Sequence, residues 1–484
     1  MYPLLKGFFK HSMIYTMGNI IYRGASFLLI PLYTHYLEPS EYGMLEIFYV
    51  TSAVFQTLFA SGISHAALRF YFEYNQPEEK NAVISTSMIA SFVFPLLGVL
   101  VLFFFAPLFS YFFFKTQSYA LPFRLVFFTL VLEISREVSL AFIRAKERST
   151  FFVVISFIQL ILQVSANVYA VVFLQLGVLG IVGGNLFATF SLWVILTGFT
   201  IYSCGIHFDW SKLWLIMKYG NPLMLSSLTV STLKSMDRYL LNAYTGLNAI
   251  GMYALGLRVA QIIPILILDP FTKSFGPFRF SIMEQDRAKE VFAQVLRYYL
   301  FLSGWVTLGL CIFSQEIIQL VSSPKYWNAY QVVPLLLVQF LFGGIHYCFQ
   351  TGLYIQKRTN YVFYITLVSG LLNLGLDLAL IPRWGIYGAA GANGLNALCA
   401  VFLAYVVSQR IYPVNYDLRG MAKILLTVGV IGLIAFQVHF DSLWWTVFVK
   451  LLLLGSFPVL LGILHGYTPG EIRKMEAVWR AGAA

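Results

Sequence analysis

Charge is scarce in this chain. Asp, Glu, Lys and Arg make up 11% of the 484 residues, against about 25% in soluble domains. With 59% hydrophobic residues and a mean hydropathy of +0.76, a soluble fold is excluded. Cysteine is also sparse. Cys204, Cys311, Cys348 and Cys399 show no CxxC spacing, so neither a disulfide framework nor a metal site is indicated. Long polar loops are missing too: the longest hold roughly 20 residues, far short of a nucleotide-hydrolysing domain. Neither a phosphate-cradling glycine loop nor a nucleophile–base pair can be found. An enzyme is therefore not expected. Lys6 and Lys10 lead into a full-length apolar run without a small-residue cleavage site, which predicts targeting by the chain's own helices.

Apolar stretches long enough to cross a bilayer, about 20 residues each, recur about fourteen times. In the first half they lie near 12–36, 43–63, 82–106, 121–143, 151–174 and 179–202. In the second they lie near 221–244, 251–271, 291–313, 332–354, 361–381 and 387–408, with a last pair near 421–438 and 443–465. The net charge of +11 would suggest nucleic acid in a soluble protein, but here basic residues sort by side. The proposed outer side holds Lys115, Arg124, Lys325, Arg383 and Lys450. The inner segments hold the large remainder outside the spans, a ratio of about four to one. Both termini are predicted inside, in a multi-pass protein with the bilayer as its partner and no nucleic acid. The stretch 209–219, rich in Trp and Lys, reads as an interfacial amphipathic helix.

The seventh span breaks the apolar rule. At helical spacing, Ser227, Ser231, Lys234, Arg238 and Asn242 fall on one face. A charge near mid-bilayer costs at least about 2.5–3.5 kcal/mol, so such residues face protein or a wet cavity. Arg23 lies on a similar stripe with Asn19 and Tyr22 in the first span, and Arg136 lies in the fourth between Glu133 and Glu137. Two readings compete for the stripe. In one, Asp237 neutralises Arg238 and the group is structural. In the other, Arg23, Lys234, Arg238 and Arg258 line a cationic cavity for an anionic headgroup, where Arg matches phosphate oxygens bidentately. Ser231, Asp237, Arg136, Asp269 and Asp377, with Asn19 and Tyr22, are the polar or coupling candidates, serving a driving H+ or Na+. No other cofactor and no metal are expected. His65 and His346 read as packing residues.

An internal repeat organises the chain. Gly177, Gly180, Gly183 and Asn185 recur as Gly385, Gly388, Gly391 and Asn393, an offset of 208 residues at which Gly43 also meets Gly251 and Tyr36 meets Tyr244. One glycine motif is common where membrane helices pack, but several at one offset argue for duplication. The predicted fold is all-α: two six-helix lobes related by a pseudo-twofold axis along the membrane normal. The N-terminal lobe is 1–208, the linker helix 209–219 and the C-terminal lobe 220–410. An extra helix pair and tail fill 411–484.

The opening stretch YTMGNIIYRGASFLLIPLYTHYLEPSEYGMLEIFY resembles the start of the polysaccharide-biosynthesis exporters, the Wzx-type flippases of the multidrug/oligosaccharidyl-lipid/polysaccharide (MOP) superfamily. The run Ser235 to Asn242, followed by Gly251-Met-Tyr253 and Arg258-Val, resembles that family's seventh and eighth spans. The resemblance implies alternating access through a central cavity. The implied substrate is a polyprenyl-pyrophosphate-linked oligosaccharide, moved across the bacterial cytoplasmic membrane, with the polymerase and glycosyltransferases of the same pathway as partners. Alternatives within the superfamily are a cation-coupled multidrug antiporter and a lipid II flippase. Outside transport, a scaffold in a glycan-assembly complex is the competing reading.

Overall fold

The structure, a computed structural model, describes residues 27–60, 62–438 and 442–464. Among them every regular element is helical, as a bilayer demands, because only a helix satisfies its own backbone in lipid without closing a barrel. Ten stretches are long and apolar enough to cross a membrane. They include the predicted second, third, fifth, sixth and eighth to fourteenth spans, two of which, 361–381 and 387–408, lie in the single stretch Thr359–Ile411. The fourth and seventh spans are equally helical, but the charges of the one and the many polar residues of the other keep them out of the ten. The first span lies mostly outside the described residues.

Two compact units divide the chain, Met1–Ala254 and Leu255–Ala484. The division lies later than the repeat boundary at residue 208. Packing groups the seventh span with the N-terminal helices, whereas the repeat groups it by descent.

In the first unit a short helix α1 (Ile30–Tyr36) leads to α2 (Pro39–Ala60), α3 (Ile63–Glu73), α4 (Pro77–Phe114) and α5 (Ala120–Ala145). Next come α6 (Ser149–Val168), α7 (Gly177–Cys204), α8 (Trp210–Tyr244) and the start of α9 (Leu247–Ala260). The amphipathic linker and the seventh span are one continuous helix, α8. At 35 residues it extends about 52 Å. Asp209 caps it, its carboxylate accepting from the amides of Ser211 and Lys212, which also suits the positive end of the helix dipole. Leu213 and Ile216 are buried with Ile63, Ala66, Ala67 and Phe142, while Trp210 and Trp214 stay exposed. A second core of aromatic rings joins α2, α4 and α5: Phe48 meets Phe123 edge-on at 4.6 Å, and Phe109 meets Phe127 at 5.5 Å.

The second unit contains α10 (Asp269–Ser281), α11 (Ala288–Ile312), α12 (Ser314–Val321), α13 (Val333–Phe349) and α14 (Thr351–Ile355). It continues with α15 (Thr359–Ile411), α16 (Leu418–Phe436) and α17 (Leu443–Ile463). The stretch called α15 is two helices meeting at Gly385, whose φ of 54° no helical residue adopts. The last pair packs on α11. Trp305 donates to the Leu454 carbonyl at 3.2 Å, and Lys450, 3% exposed, bonds Glu316 of α12 at 2.5 Å.

The repeat is visible in the helix bounds. Helices α1 and α8 end at Tyr36 and Tyr244, and α2 and α9 begin at Pro39 and Leu247, each pair 208 residues apart. Gly177 and Gly385 share a positive φ, 53° and 54°. Gly180 and Gly388, three residues on, lie against carbonyls of the preceding helix: a Cβ would come within 3.0 Å of the Ala170 oxygen in one and 2.3 Å of the Leu380 oxygen in the other. The pair at Gly43 and Gly251 forms a helix crossing, with a Cβ on Gly251 only 2.0 Å from the Pro39 oxygen. Asn185 of the motif accepts from Asn167 at 3.0 Å and donates to Tyr49 Oη at 3.0 Å, tying α7 to α6 and α2.

Candidate functional site

Helix α8 holds the predicted stripe, and the structure resolves what each of its groups does. Asp237, 1% exposed, accepts from Arg238 Nη1 at 2.7 Å, from the Arg238 amide at 2.8 Å and from Tyr253 Oη at 2.8 Å. Arg238 Nε also lies 3.7 Å from Glu46 Oε1 on α2, its Nη1 donates to the Lys234 carbonyl at 3.0 Å, and its guanidinium carbon lies 5.7 Å from the Tyr253 ring centre. Two carboxylates thus surround one guanidinium. Burial makes that grouping necessary, since an unpaired charge in a low-dielectric interior is costly. Asn242 donates to the Phe113 carbonyl of α4 at 2.9 Å, and Tyr239 stacks on Phe113 while donating to Thr51. The far end of the stripe is therefore docked on α2 and α4.

Lys234 differs from Arg238. It is exposed at mid-span, and no carboxylate among the described residues lies within ion-pair distance. Ser231 is half-buried, its carbonyl accepting from Ser235 at 2.8 Å. Ser227, at the near end of the stripe, opens onto a cavity described below.

The remaining predicted groups are dispersed. Arg23, Asn19 and Tyr22 lie outside the described residues. Arg136 is buried on α5, with Glu133 in electrostatic reach. Arg258 is half-buried on α9, and Asp269 opens α10, where the helix dipole favours a carboxylate. Asp377 is fully buried and accepts from Asn373 at 2.9 Å, one turn away. The first unit thus joins Asp237 and Arg238 through Glu46 and Tyr253. The sequence offered no register by which to choose those two partners.

Sequence reasoning passed over a second place. Within the first unit a cavity of about 240 Å3 is lined by Gln56, Thr57, Ser64, His65, Ser91, Glu137 and Ser227, with Ile134, Val138 and Met224 as its apolar wall. It opens where α2 breaks into α3 at Gly62, whose φ of 60° turns the chain and whose missing side chain lets Gly220 of α8 approach. His65, read from sequence as a packing residue, is exposed on its rim. A polar pattern at spacing i, i+1, then across four helices, leaves no periodic signal.

A bundle of bilayer-length helices carrying buried, partnered charges is the architecture of a multi-pass membrane protein. The chain belongs to the polysaccharide biosynthesis protein family, whose profile matches residues 34–331, more than half its length. Its fold is that of the MOP superfamily. It is similar to the inward closed lipid II flippase MurJ, with a TM-score of 0.76, 15% identity and coverage of 94% of this chain and 99% of that one. An inward-facing multidrug resistance MATE family transporter matches with a TM-score of 0.69, 12% identity and coverage of 81% and 94%. A MOP superfamily transporter from Pyrococcus furiosus gives 0.59, 13% identity, 84% and 95%. In sequence, an uncharacterized membrane protein of Methanocaldococcus jannaschii is 27% identical over 185 residues, 36% of this chain and 35% of that protein. The chain thus aligns with about a third of the length of that curated relative. It is a multi-pass membrane protein among transporter neighbours.

Proposed function

We propose that the chain is a flippase carrying a polyprenyl-pyrophosphate-linked oligosaccharide across the bacterial cytoplasmic membrane by alternating access, its termini on the cytoplasmic side. The observation that carries this is Lys234, an exposed mid-span cation without a carboxylate partner among the described residues, in a member of the polysaccharide biosynthesis family. A pyrophosphate cannot cross about 30 Å of hydrocarbon uncompensated. Lys234 supplies the first contact, and Arg23 and Arg258 are the further candidates. Arg238 is already offset by Asp237 and Glu46, so its part is to hold α8 against α2. The sugars travel in the wet interior, and the polyprenyl chain stays in lipid. Alternation is rocking of the lobes 1–208 and 220–410, with Asp237, Asp269 and Asp377 as the carboxylates through which H+ or Na+ drives it and Arg136 as a fixed charge beside Glu133.

Translocation of a fluorescent lipid-linked oligosaccharide in proteoliposomes tests this. Lys234→Ala is expected to lose at least about tenfold in rate, the weight of one charge-assisted contact, with unchanged folding. Full export by that variant at normal protein level would remove the anion-site reading. A second reading, a cation-coupled multidrug antiporter, is favoured by one observation: among the described residues, the wall of the cavity beside Glu137 holds no Lys or Arg. Export of organic cations by a chain that flips no lipid-linked sugar would establish it.

A further inference from the structure

The cavity in the first unit has one edge whose polar groups only accept. Thr57 donates its hydroxyl to the Ala53 carbonyl at 2.9 Å, and Ser91 donates to the Met88 carbonyl at 2.9 Å. With those protons turned back into their own helices, both oxygens offer only lone pairs to the cavity. Glu137 adds a carboxylate with no hydrogen bond or ion pair to another described side chain. Arg136, its neighbour in sequence, points about 100° away around the helix, and its charge acts on Glu133. Gln56, His65 and Ser227 complete the polar wall. Those three, with Ser64, can donate as well as accept, so it is the edge formed by Glu137, Thr57 and Ser91 that lacks donors and suits a ligand's hydroxyls or ammonium.

Size selects among such ligands. The volume, about 240 Å3, equals that of about eight water molecules and falls just short of the roughly 300 Å3 at which drug-sized pockets begin. A bare proton or metal ion needs no such chamber, and a whole oligosaccharide cannot enter it. One sugar ring fits. Hydroxyls or an ammonium on one edge would meet Glu137, and the C–H face of the ring would lie on Ile134 and Met224.

We infer that this cavity is a subsite for a single donor-rich sugar ring, neutral or amine-bearing, and that Glu137 excludes sugars bearing a carboxylate. The inference rests on the flippase reading for the source of the sugar, and it adds a specificity filter separate from the pyrophosphate contact at Lys234. A carboxylate on the ring would face the carboxylate of Glu137, and like charges at contact in a partly desolvated site repel strongly.

The test is binding, measured without transport. The purified full chain in nanodiscs is titrated with the methyl glycosides of glucosamine, glucose and glucuronate, followed by saturation-transfer NMR, with tetraphenylphosphonium as the competing organic cation. Glucosamine and glucose are expected to bind, glucuronate at least about tenfold more weakly. Glu137→Gln, which keeps shape and removes charge, is expected to weaken glucosamine about tenfold and bring glucuronate level with glucose. Gln56→Leu, a second variant on a different helix, is expected to weaken all three. The inference is overturned if no sugar binds the native chain, if Glu137→Gln leaves the ranking unchanged, or if tetraphenylphosphonium alone occupies the cavity. A chain that binds sugars in this order but flips no lipid-linked saccharide keeps the subsite and refutes the flippase reading. A chain that flips them with its sugar ranking unaltered by Glu137→Gln does the reverse.

Discussion

Replacing Arg238 by Ala separates a structural cation from a substrate-binding one. At an effective dielectric of about 20, attraction to Asp237 across 2.7 Å is about 6 kcal/mol, and to Glu46 across 3.7 Å about 4.5 kcal/mol. Desolvating three ions consumes most of that, at several kcal/mol each. The balance changes when the cation is deleted. Side chains only 2% and 11% exposed then hold two carboxylates facing an empty position, and breaking a buried group in this way costs about 3–5 kcal/mol. The assay is thermal unfolding followed with a thiol-reactive fluorophore, since Cys204 in the same unit is buried until the fold opens. Arg238→Ala is expected to unfold well below the native chain and to accumulate poorly. The triple variant Arg238→Met, Asp237→Asn, Glu46→Gln removes all three charges together and is expected to recover folding and to keep export within severalfold. The structural account of Arg238 fails if Arg238→Ala melts with the native chain. If instead the triple variant folds but exports nothing, Arg238 touches the substrate.

Three further perturbations follow from the packing. Lys450→Ala strands Glu316 and is expected to destabilise the last helix pair by about 3–5 kcal/mol, whereas Lys450→Met with Glu316→Leu should restore most of it; the same thermal assay reads both. Gly251→Ala forces a methyl into the Pro39 carbonyl, so α2 and α9 must separate, at about 1–3 kcal/mol, seen as reduced folded yield. Gly385→Ala places a Cβ at φ 54°, ψ −127°, a sparsely populated conformation for any L side chain, and is expected to cost about 1–3 kcal/mol, read as a lower melting temperature.

The spans were legible because burial in lipid writes itself as composition: about 20 apolar residues in a row need no tertiary partner to be recognised. The duplication was legible for a similar reason. Gly177 and Gly385 are needed for a local turn, and Gly43 and Gly251 for a close crossing, so the same residue recurs wherever the same backbone demand does. The continuity of α8 was less legible, since Gly220, Pro222 and the change from amphipathic to apolar read as a boundary, yet the helix runs through with only the hydrogen bond that Pro222 cannot donate missing.

What the sequence determined by itself was the class: a helical, duplicated, multi-pass protein whose seventh span carries charges that must be accounted for. It also placed Asp237 beside Arg238, because neighbours in the chain are neighbours in space. Only tertiary structure decided that Glu46 and Tyr253 join that group, that Lys234 stays exposed, and that Glu137 faces a cavity shared by five helices. Those outcomes depend on the rotation of each helix about its axis and on which helix lies opposite. Packing across the bundle sets both, and no residue's local pattern encodes them.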